Sequence, residues 1–284
     1  MTDVTGHTSS EASMRQVTIF LCLIVLTVLF LLPVFGVLLS SIKTTQEISQ
    51  GELWSWPSAF YLGNYVEALS NPAVQIYFLN TLLITVPATF ASITLGILGG
   101  YVFSKLPFKG SNFIFLVIIS GMFFPPQVIL IPLFKLFNAL GLLDTLWPMI
   151  IVHTGMGIPI CTLLMRNFFA GVPNALREAA ILEGSNELHF LLRVALPLSL
   201  PAIAVLATLQ FTWIWNDFLW PLIFTQSDDK RTIMLGIAFL KGQYSVAWGI
   251  QGALSLVASL PTLLIFLFFQ RYFIKGMTMG AVKG

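Results

Sequence analysis

Long stretches without charged side chains are the feature that most constrains the fold of this chain. A hydrocarbon core of about 30 Å needs roughly 20 apolar residues per helix, and about six stretches reach that length. They lie at residues 17–40, 76–101, 113–134, 146–165, 202–224 and 248–270. Charged residues make up 9% of the chain, against about 25% in soluble domains. The sequence therefore predicts an all-α fold, a polytopic membrane helical bundle with six transmembrane helices.

This map divides the chain into a polar tail at 1–16, a membrane domain at 17–272 and a second tail at 273–284. The first apolar stretch is too long for a signal-peptide core and has no Ala-x-Ala exit site, so we expect a retained anchor. Basic residues resist translocation and stay on the cytoplasmic side. With the amino terminus inside, the cytoplasmic basic residues are Arg15, Lys105, Lys109, Arg166, Arg177, Arg193, Arg271, Lys275 and Lys283, and the external ones are Lys43, Lys135, Lys230, Arg231 and Lys241. We therefore expect both termini to be cytoplasmic.

The segment 167–199 is the only long predicted cytoplasmic stretch that carries several charges of both signs. Pro173 suits a first helical turn and Gly184 suits a helix end, which predicts a helix over 174–183. Ser185 is expected to cap a second helix, in which Glu187 favours the positive end of the dipole. Pro197 ends the loop, and the chain then re-enters the membrane.

One face of the first predicted loop helix suits a partner. Glu178 and Leu182 share that face at an i, i+4 spacing, and the small side chains of Ala179 and Ala180 permit close approach. A solvated loop that only joins two spans explains the same residues equally well, so the physical chemistry leaves both interpretations open.

Glu178-Ala179-Ala180, Gly184 and Leu196-Pro197 together resemble the EAA loop of permease subunits in binding-protein-dependent ABC importers. Val194 stands where the family usually has isoleucine. Further matches resemble the carbohydrate-uptake branch, which includes the second permease subunit of maltose-type and glycerol-phosphate-type systems. They are Asn64, Tyr65, Asn80, Thr81, Trp215, Asn216, Asp217, Gln270, Arg271 and the ending Gly280 to Gly284.

The resemblance implies a type I ABC importer transmembrane domain in a bacterial inner membrane. Glu178 would pair with a basic residue of the ATPase, Gly184 would supply the turn between two coupling helices, and Ala179, Ala180 and Pro197 would complete the docking surface. The tail residues Gly280, Lys283 and Gly284 would reach into the ATPase dimer. The implied partners are a second homologous permease, two ATP-binding subunits, an extracytoplasmic solute-binding protein, a sugar and the lipid bilayer.

The chain contains no Gly-x-x-x-x-Gly-Lys-Ser/Thr phosphate loop, no His-Glu-x-x-His and no paired-cysteine metal pattern. We therefore expect the protein not to be an enzyme and to bind no cofactor, with ATP and Mg on the partner subunits. Cys22 and Cys161 lie in apolar stretches and are interpreted as small buried hydrophobes. No acidic or basic tail suggests a nucleic-acid partner.

Polar residues inside the predicted spans are costly and usually face a cavity or each other. They are Asn80, Gln127, His153, Gln210, Asn216 and Asp217. Asn80, Gln127, Trp215, Asn216 and Asp217 are candidates for the wall of a solute pathway, with Trp213 and Trp215 as stacking surfaces for sugar rings. Interhelical hydrogen bonds and interfacial anchoring are the favoured alternative for any one of them. His153 with Asp217 also keeps two other functions open, a membrane enzyme and a proton-coupled secondary transporter.

Overall fold

The computed structural model describes the backbone of residues 5–239 and 247–281, and all regular structure in these residues is helical. The helices are α1 (Thr5–Ser41), α2 (Thr45–Ser49), α3 (Gly63–Ser70), α4 (Pro72–Lys105), α5 (Ser111–Ser120), α6 (Pro126–Ala139), α7 (Trp147–Ala170), α8 (Asn174–Leu182), α9 (Glu187–Phe190), α10 (Leu196–Leu198), α11 (Leu200–Trp215), α12 (Leu219–Phe224), α13 (Ile233–Phe239) and α14 (Trp248–Ala281). A π-helical turn joins α9 to α10, and short 3₁₀ turns follow α5 and precede α13.

The predicted helical membrane fold is confirmed. Four predicted spans correspond to single helices that are long and apolar enough to cross a membrane, within α1, α4, α7 and α14. The other two correspond to bent pairs. Ser111–Phe123 and α6 meet at 98°, and Glu187–Leu198 and α11 meet at 76°, so the described residues provide up to six spans if each bent pair crosses once.

The span predicted at residues 113–134 is not one continuous helix. Phe124 and Pro125 are extended, with ψ angles of 122° and 132°, and α6 begins at Pro126. Proline disfavours the helical region for the residue before it and removes a backbone donor, so the pair Pro125-Pro126 ends one helix and starts another.

The fifth predicted span, 202–224, is also interrupted. α11 ends at Trp215 and α12 begins at Leu219, with an irregular stretch between them. Asp217 stabilises this break, because its carboxylate accepts hydrogen bonds from the backbone amides of Leu219 at 3.1 Å and Trp220 at 3.2 Å. These two amides would otherwise be orphan donors at the start of α12.

The described residues fall into two compact units. The first unit holds α1 to α3 and the beginning of α14, up to Val257. In this unit, the segment after α1 is organised around the fully buried Lys43. The Lys43 ammonium donates to the carbonyl of Glu52, to those of Leu53 at 3.2 Å and Ser55 at 2.6 Å, and to the Ser55 hydroxyl. The Asn64 amide donates to the Ser41 and Lys43 carbonyls, so side chains hold this irregular backbone in place.

In the second unit, α4 and α7 approach closely at small residues. A Cβ atom added to Gly96 would overlap that of Cys161, and one added to Gly100 would lie 2.6 Å from the Cβ of Met165. Such close backbone approach is typical of packed membrane helices, where small residues form the interface. At one end of this helix pair, Tyr101 of α4 and Phe169 of α7 belong to a buried cluster with Phe190 and Leu191 of the segment between α7 and α11 and with Leu206 of α11.

Candidate functional sites: the EAA loop and a tryptophan-lined cleft

The EAA loop, residues 167–199, contains the first helix that the sequence predicts. α8 runs over Asn174–Leu182, and the following Gly184 adopts a left-handed φ of +88°. The Gly184 amide donates to the Ile181 carbonyl and the Ser185 amide donates to the Ala180 carbonyl, both at 2.9 Å. This is the Schellman pattern that ends a helix in a sharp turn, and glycine adopts its left-handed residue without strain.

Asn186, not Ser185, caps the second loop helix. The Asn186 side-chain oxygen accepts from the His189 amide at 2.8 Å, whereas the Ser185 hydroxyl donates to the Asn186 carbonyl. Because the Ser185 amide already takes part in the turn that ends α8, the cap of α9 falls one residue later than predicted. α9 then continues through the π-helical turn Leu191–Ala195, and Pro197 is exposed just before the 76° bend.

The outer face of the EAA loop exposes both acidic and apolar side chains. Glu178 and Ala179 are exposed and Ala180 is half-buried. Leu182 is 88% exposed and Leu188 is 60% exposed. Large apolar side chains exposed next to charged residues suit a protein interaction site. Between the two loop helices lies an open cavity of about 410 Å³ whose lining includes Gly184, Asn186, His189 and Arg193.

The inner face of the EAA loop is held on α4 by two polar contacts. The Tyr101 hydroxyl donates to Glu187 Oε2 at 2.6 Å, and the Arg177 guanidinium binds both oxygens of the same carboxylate. One turn further along α4, Lys105 donates to the Val172 carbonyl at 2.6 Å and to the Asn174 side chain at 2.8 Å. The hydrogen bonds to Glu187 raise the pKa of Arg177. Sequence reasoning missed these contacts, because the partners are as many as 86 residues apart.

A second candidate site is an open cleft of about 830 Å³ along α11 and α12. Its lining includes Thr212, Trp213, Asn216, Asp217 and Phe266. Trp213 is 70% exposed, and Asn216 is exposed, so an aromatic face and an amide border the cleft. Flat aromatic surfaces beside hydrogen-bonding groups suit amphipathic ligands.

Asp217, which lines this cleft, also contacts a buried histidine outside the lining. His153 Nε2 lies 3.3 Å from Asp217 Oδ2, and the two side chains are 5% and 12% exposed. The same carboxylate holds the start of α12, so this pair has a structural role at the helix break. It connects α7 to the segment between α11 and α12.

The burial of two residues argues against their predicted place in the wall of a solute pathway. Trp215 is fully buried, and its indole donates to the Ala258 carbonyl at 2.8 Å, so it cannot offer a stacking face. Asn80 is 7% exposed and donates to the carbonyls of Asp229 and Arg231, so it anchors the segment before α13 to α4.

The remaining predicted residues lie apart from both sites or outside the described side chains. Gln127 is exposed in the first turn of α6, next to the proline break, and it does not line the α11–α12 cleft. Gly280 lies in the last turn of α14, while Lys283 and Gly284 lie outside the described residues. In the part of the chain whose side chains are described, no group of three or more His, Cys, Asp or Glu residues is arranged to hold a metal ion.

Comparison with known proteins places these features in a family. Residues 92–279 match the binding-protein-dependent transport system inner membrane components. A probable ABC transporter permease protein of Pyrococcus horikoshii is 33% identical, over 89% of this chain and 93% of its own length. The arabinooligosaccharides transport system permease protein of Bacillus subtilis is 32% identical, over 97% of this chain and 99% of its own length.

The fold is similar to that of a solved importer. A chain in the crystal structure of a bacterial ABC transporter, involved in the import of the acidic polysaccharide alginate, superposes with a TM-score of 0.78. The two chains are 22% identical, and the match covers 96% of this chain and 99% of the other.

Proposed function

Because the chain belongs to the family of binding-protein-dependent transport system inner membrane components, we propose that it is a permease subunit of an ATP-driven sugar importer. It forms part of the solute pathway and receives energy from a separate ATPase through the EAA loop. Sugar as the solute class is supported by the arabinooligosaccharide permease among its relatives. A proton-coupled transporter is not supported, since both of its candidate residues, His153 and Asp217, are paired at a helix break.

The observation that carries this proposal is the outer face of the EAA loop. Glu178 and Leu182 are exposed on α8, and the Gly184 turn brings α9 back beside it. An exposed leucine next to a carboxylate suits a partner surface with an apolar groove and a basic residue. The two loop helices are short, and their inner side contacts α4. A displacement of the loop is therefore transmitted to a membrane helix.

The proposed assembly contains a second homologous permease, two ATP-binding subunits and an extracytoplasmic solute-binding protein. It resides in the bacterial inner membrane, with both termini and the EAA loop on the cytoplasmic side. This chain binds no cofactor, because ATP and Mg are held by the ATP-binding subunits. Reporter fusions at Gly284 and Gln226 test the orientation: activity of a cytoplasmic reporter is expected at Gly284 and not at Gln226.

The coupling role is tested by Glu178→Lys, which reverses the charge on the docking face. Removing one partner of a buried charged pair at an interface costs roughly 2 to 5 kcal/mol, so we expect uptake and recovery of the ATPase to fall at least about tenfold. Insertion into the membrane should be unchanged, because Glu178 is exposed and lies on α8, outside every candidate span.

The matched control is Glu67→Lys, the same charge reversal at an exposed position of α3. Asn186 is unsuitable as a control, because its side chain caps α9. Wild-type uptake and ATPase recovery in the Glu178 variant would overturn the docking assignment.

The α11–α12 cleft is the proposed contact of this subunit with the sugar. Trp213 offers a stacking face, and Asn216 offers an amide group for sugar hydroxyls. Trp213→Ala removes the aromatic surface, and a contact of this kind contributes about 1 kcal/mol. We expect the solute concentration for half-maximal uptake to rise about fivefold. Trp147→Ala, at a tryptophan that is 59% exposed on α7 and outside the cleft lining, is the control, and equal effects of the two would refute the contact.

A further inference from the structure

One carboxylate joins three segments of the second unit. Glu187, in the first turn of α9, receives the Tyr101 hydroxyl of α4 at 2.6 Å and the Arg177 Nε of α8 at 3.0 Å on its Oε2 atom. Arg177 Nη2 binds the other oxygen, Oε1. A bidentate arginine contact fixes the geometry of a carboxylate in a way that a single hydrogen bond does not.

The position of this contact is set by rigid neighbours. Tyr101 is 3% exposed and packs edge-on against Phe169 of α7, with ring centroids 5.7 Å apart at 90°. Its ring centroid also lies 6.4 Å from that of Phe190, at the end of α9. The hydroxyl is therefore held in place from α4, α7 and α9 together. Arg177 directly precedes Glu178, the residue proposed to meet the ATPase.

We propose that Glu187 is a positioning residue for energy coupling, which links movement of the docking helix α8 to the membrane helix α4 through Arg177 and Tyr101. This inference rests on the proposed function. The three side chains form a clamp, here called the Glu187 clamp. When the ATPase displaces α8, the Arg177–Glu187 pair carries α9 with it, and the Tyr101 hydroxyl transfers the displacement to α4.

Contacts other than the clamp also hold the loop in place. Lys105 holds the start of α8 through Val172 and Asn174, and Phe190 and Leu191 are buried in the core beneath the loop. Loss of the Tyr101 hydroxyl leaves all of these contacts in place. A variant that lacks only this hydroxyl is therefore expected to assemble and hydrolyse ATP, but to transport less solute for each ATP.

The test uses the complete importer with its binding protein in proteoliposomes, with a panel of disaccharides and arabino-oligosaccharides as probes. Tyr101→Phe removes the hydrogen bond between α4 and Glu187. Glu187→Gln weakens the contacts with both Tyr101 and Arg177 without changing the size of the side chain. For Tyr101→Phe we expect wild-type assembly, basal ATPase activity within about twofold of wild type and at least a threefold rise in ATP hydrolysed per solute transported. The double variant should resemble Glu187→Gln alone, because both changes act on the same carboxylate.

A merely structural role predicts a different pattern, in which assembly, ATPase activity and uptake fall together and the ratio of ATP to solute stays constant. That pattern in Tyr101→Phe, or a wild-type ratio in both single variants, would overturn the clamp. The control is Tyr61→Phe, the same loss of a hydroxyl at an exposed position of the first unit. A wild-type complex whose ATPase responds to no sugar-loaded binding protein would instead overturn the proposed function, and the clamp with it, so the two failures are distinguishable.

Discussion

The contact between α4 and α7 gives a prediction that separates packing from helix propensity. Gly96 lies against α7 so closely that an added Cβ would overlap the Cβ of Cys161 and lie 2.8 Å from the Cys161 carbonyl carbon. Carbon atoms in favourable contact are about 3.5 to 4.0 Å apart, so Gly96→Ala forces the two helices apart by about 1 Å. The obstacle includes backbone, which cannot rotate away as a long side chain can.

Gly155 is the matched control, because it lies on α7 and an added Cβ there meets no atom within 4 Å. Both substitutions replace a helical glycine by alanine, so their effects on helix propensity cancel when the variants are compared. The remaining difference is the cost of overpacking at Gly96, roughly 1 to 3 kcal/mol. Gly155→Ala alone should be neutral or stabilising, by up to about 1 kcal/mol.

The assay is thermal unfolding of the purified complex in detergent, in which the fraction of protein that remains monodisperse after heating is measured. A difference of 1 to 3 kcal/mol corresponds to roughly 2 to 12 °C between the two midpoints, since each kcal/mol shifts chains of about this size by about 2 to 4 °C. Equal midpoints for Gly96→Ala and Gly155→Ala would refute the close approach of the two helices.

Three further predictions concern segments that polar side chains hold in place. Lys43→Met should unfold the segment after α1, because the carbonyls of Glu52, Leu53 and Ser55 lose their shared donor, whereas exposed Lys135→Met should not; limited proteolysis distinguishes them. The pKa of Glu47 is lowered from 4.5 to about 2, first by the Ser58 hydroxyl, so its stabilisation is complete above about pH 4.5 and is lost as the pH falls towards 2. Hydrogen exchange of the Ser58 amide should follow this pH dependence in the wild type and not in Glu47→Gln. Asp144→Ala should speed exchange of the Gln226 and Ser227 amides, which both donate to its carboxylate at 2.8 Å; unchanged exchange would contradict this role.

The fold class and the first loop helix could be predicted because their signals are local. Runs of about 20 apolar residues identify spans wherever they occur, and Pro173 and Gly184 bracket α8 from its own sequence. The break at Phe124–Pro125 was not predicted, because proline is compatible with an unbroken membrane helix when neighbours satisfy the freed backbone groups. Composition alone does not say whether such neighbours are present. The break after Trp215 contains no proline, and the hydrogen bonds by which Asp217 stabilises it were not predicted.

The contacts of the Glu187 clamp could not be predicted from the sequence, for a different reason. Glu187 has a sufficient local explanation in the dipole of its own helix, and nothing in the sequence marks Tyr101 as its partner. The two residues meet only because α4 and α7 pack closely at Gly96 and Gly100, which brings the end of α4 under the loop. A local pattern therefore predicts the helix, while the role of its side chain depends on tertiary packing.

The structure also changes what a polar residue inside an apolar stretch indicates in this chain. Asn80 satisfies two carbonyls of the segment before α13, and Asp217 satisfies two amides at the start of α12. Both side chains satisfy irregular backbone that would otherwise lack hydrogen-bond partners, and leaving a buried backbone group unsatisfied costs about 1 to 3 kcal/mol. At these two places a polar side chain stabilises irregular backbone, whether or not a solute passes. Residues such as Trp213 and Asn216, which are exposed beside such a break, are consequently better candidates for solute contact than the buried polar residues that stabilise it.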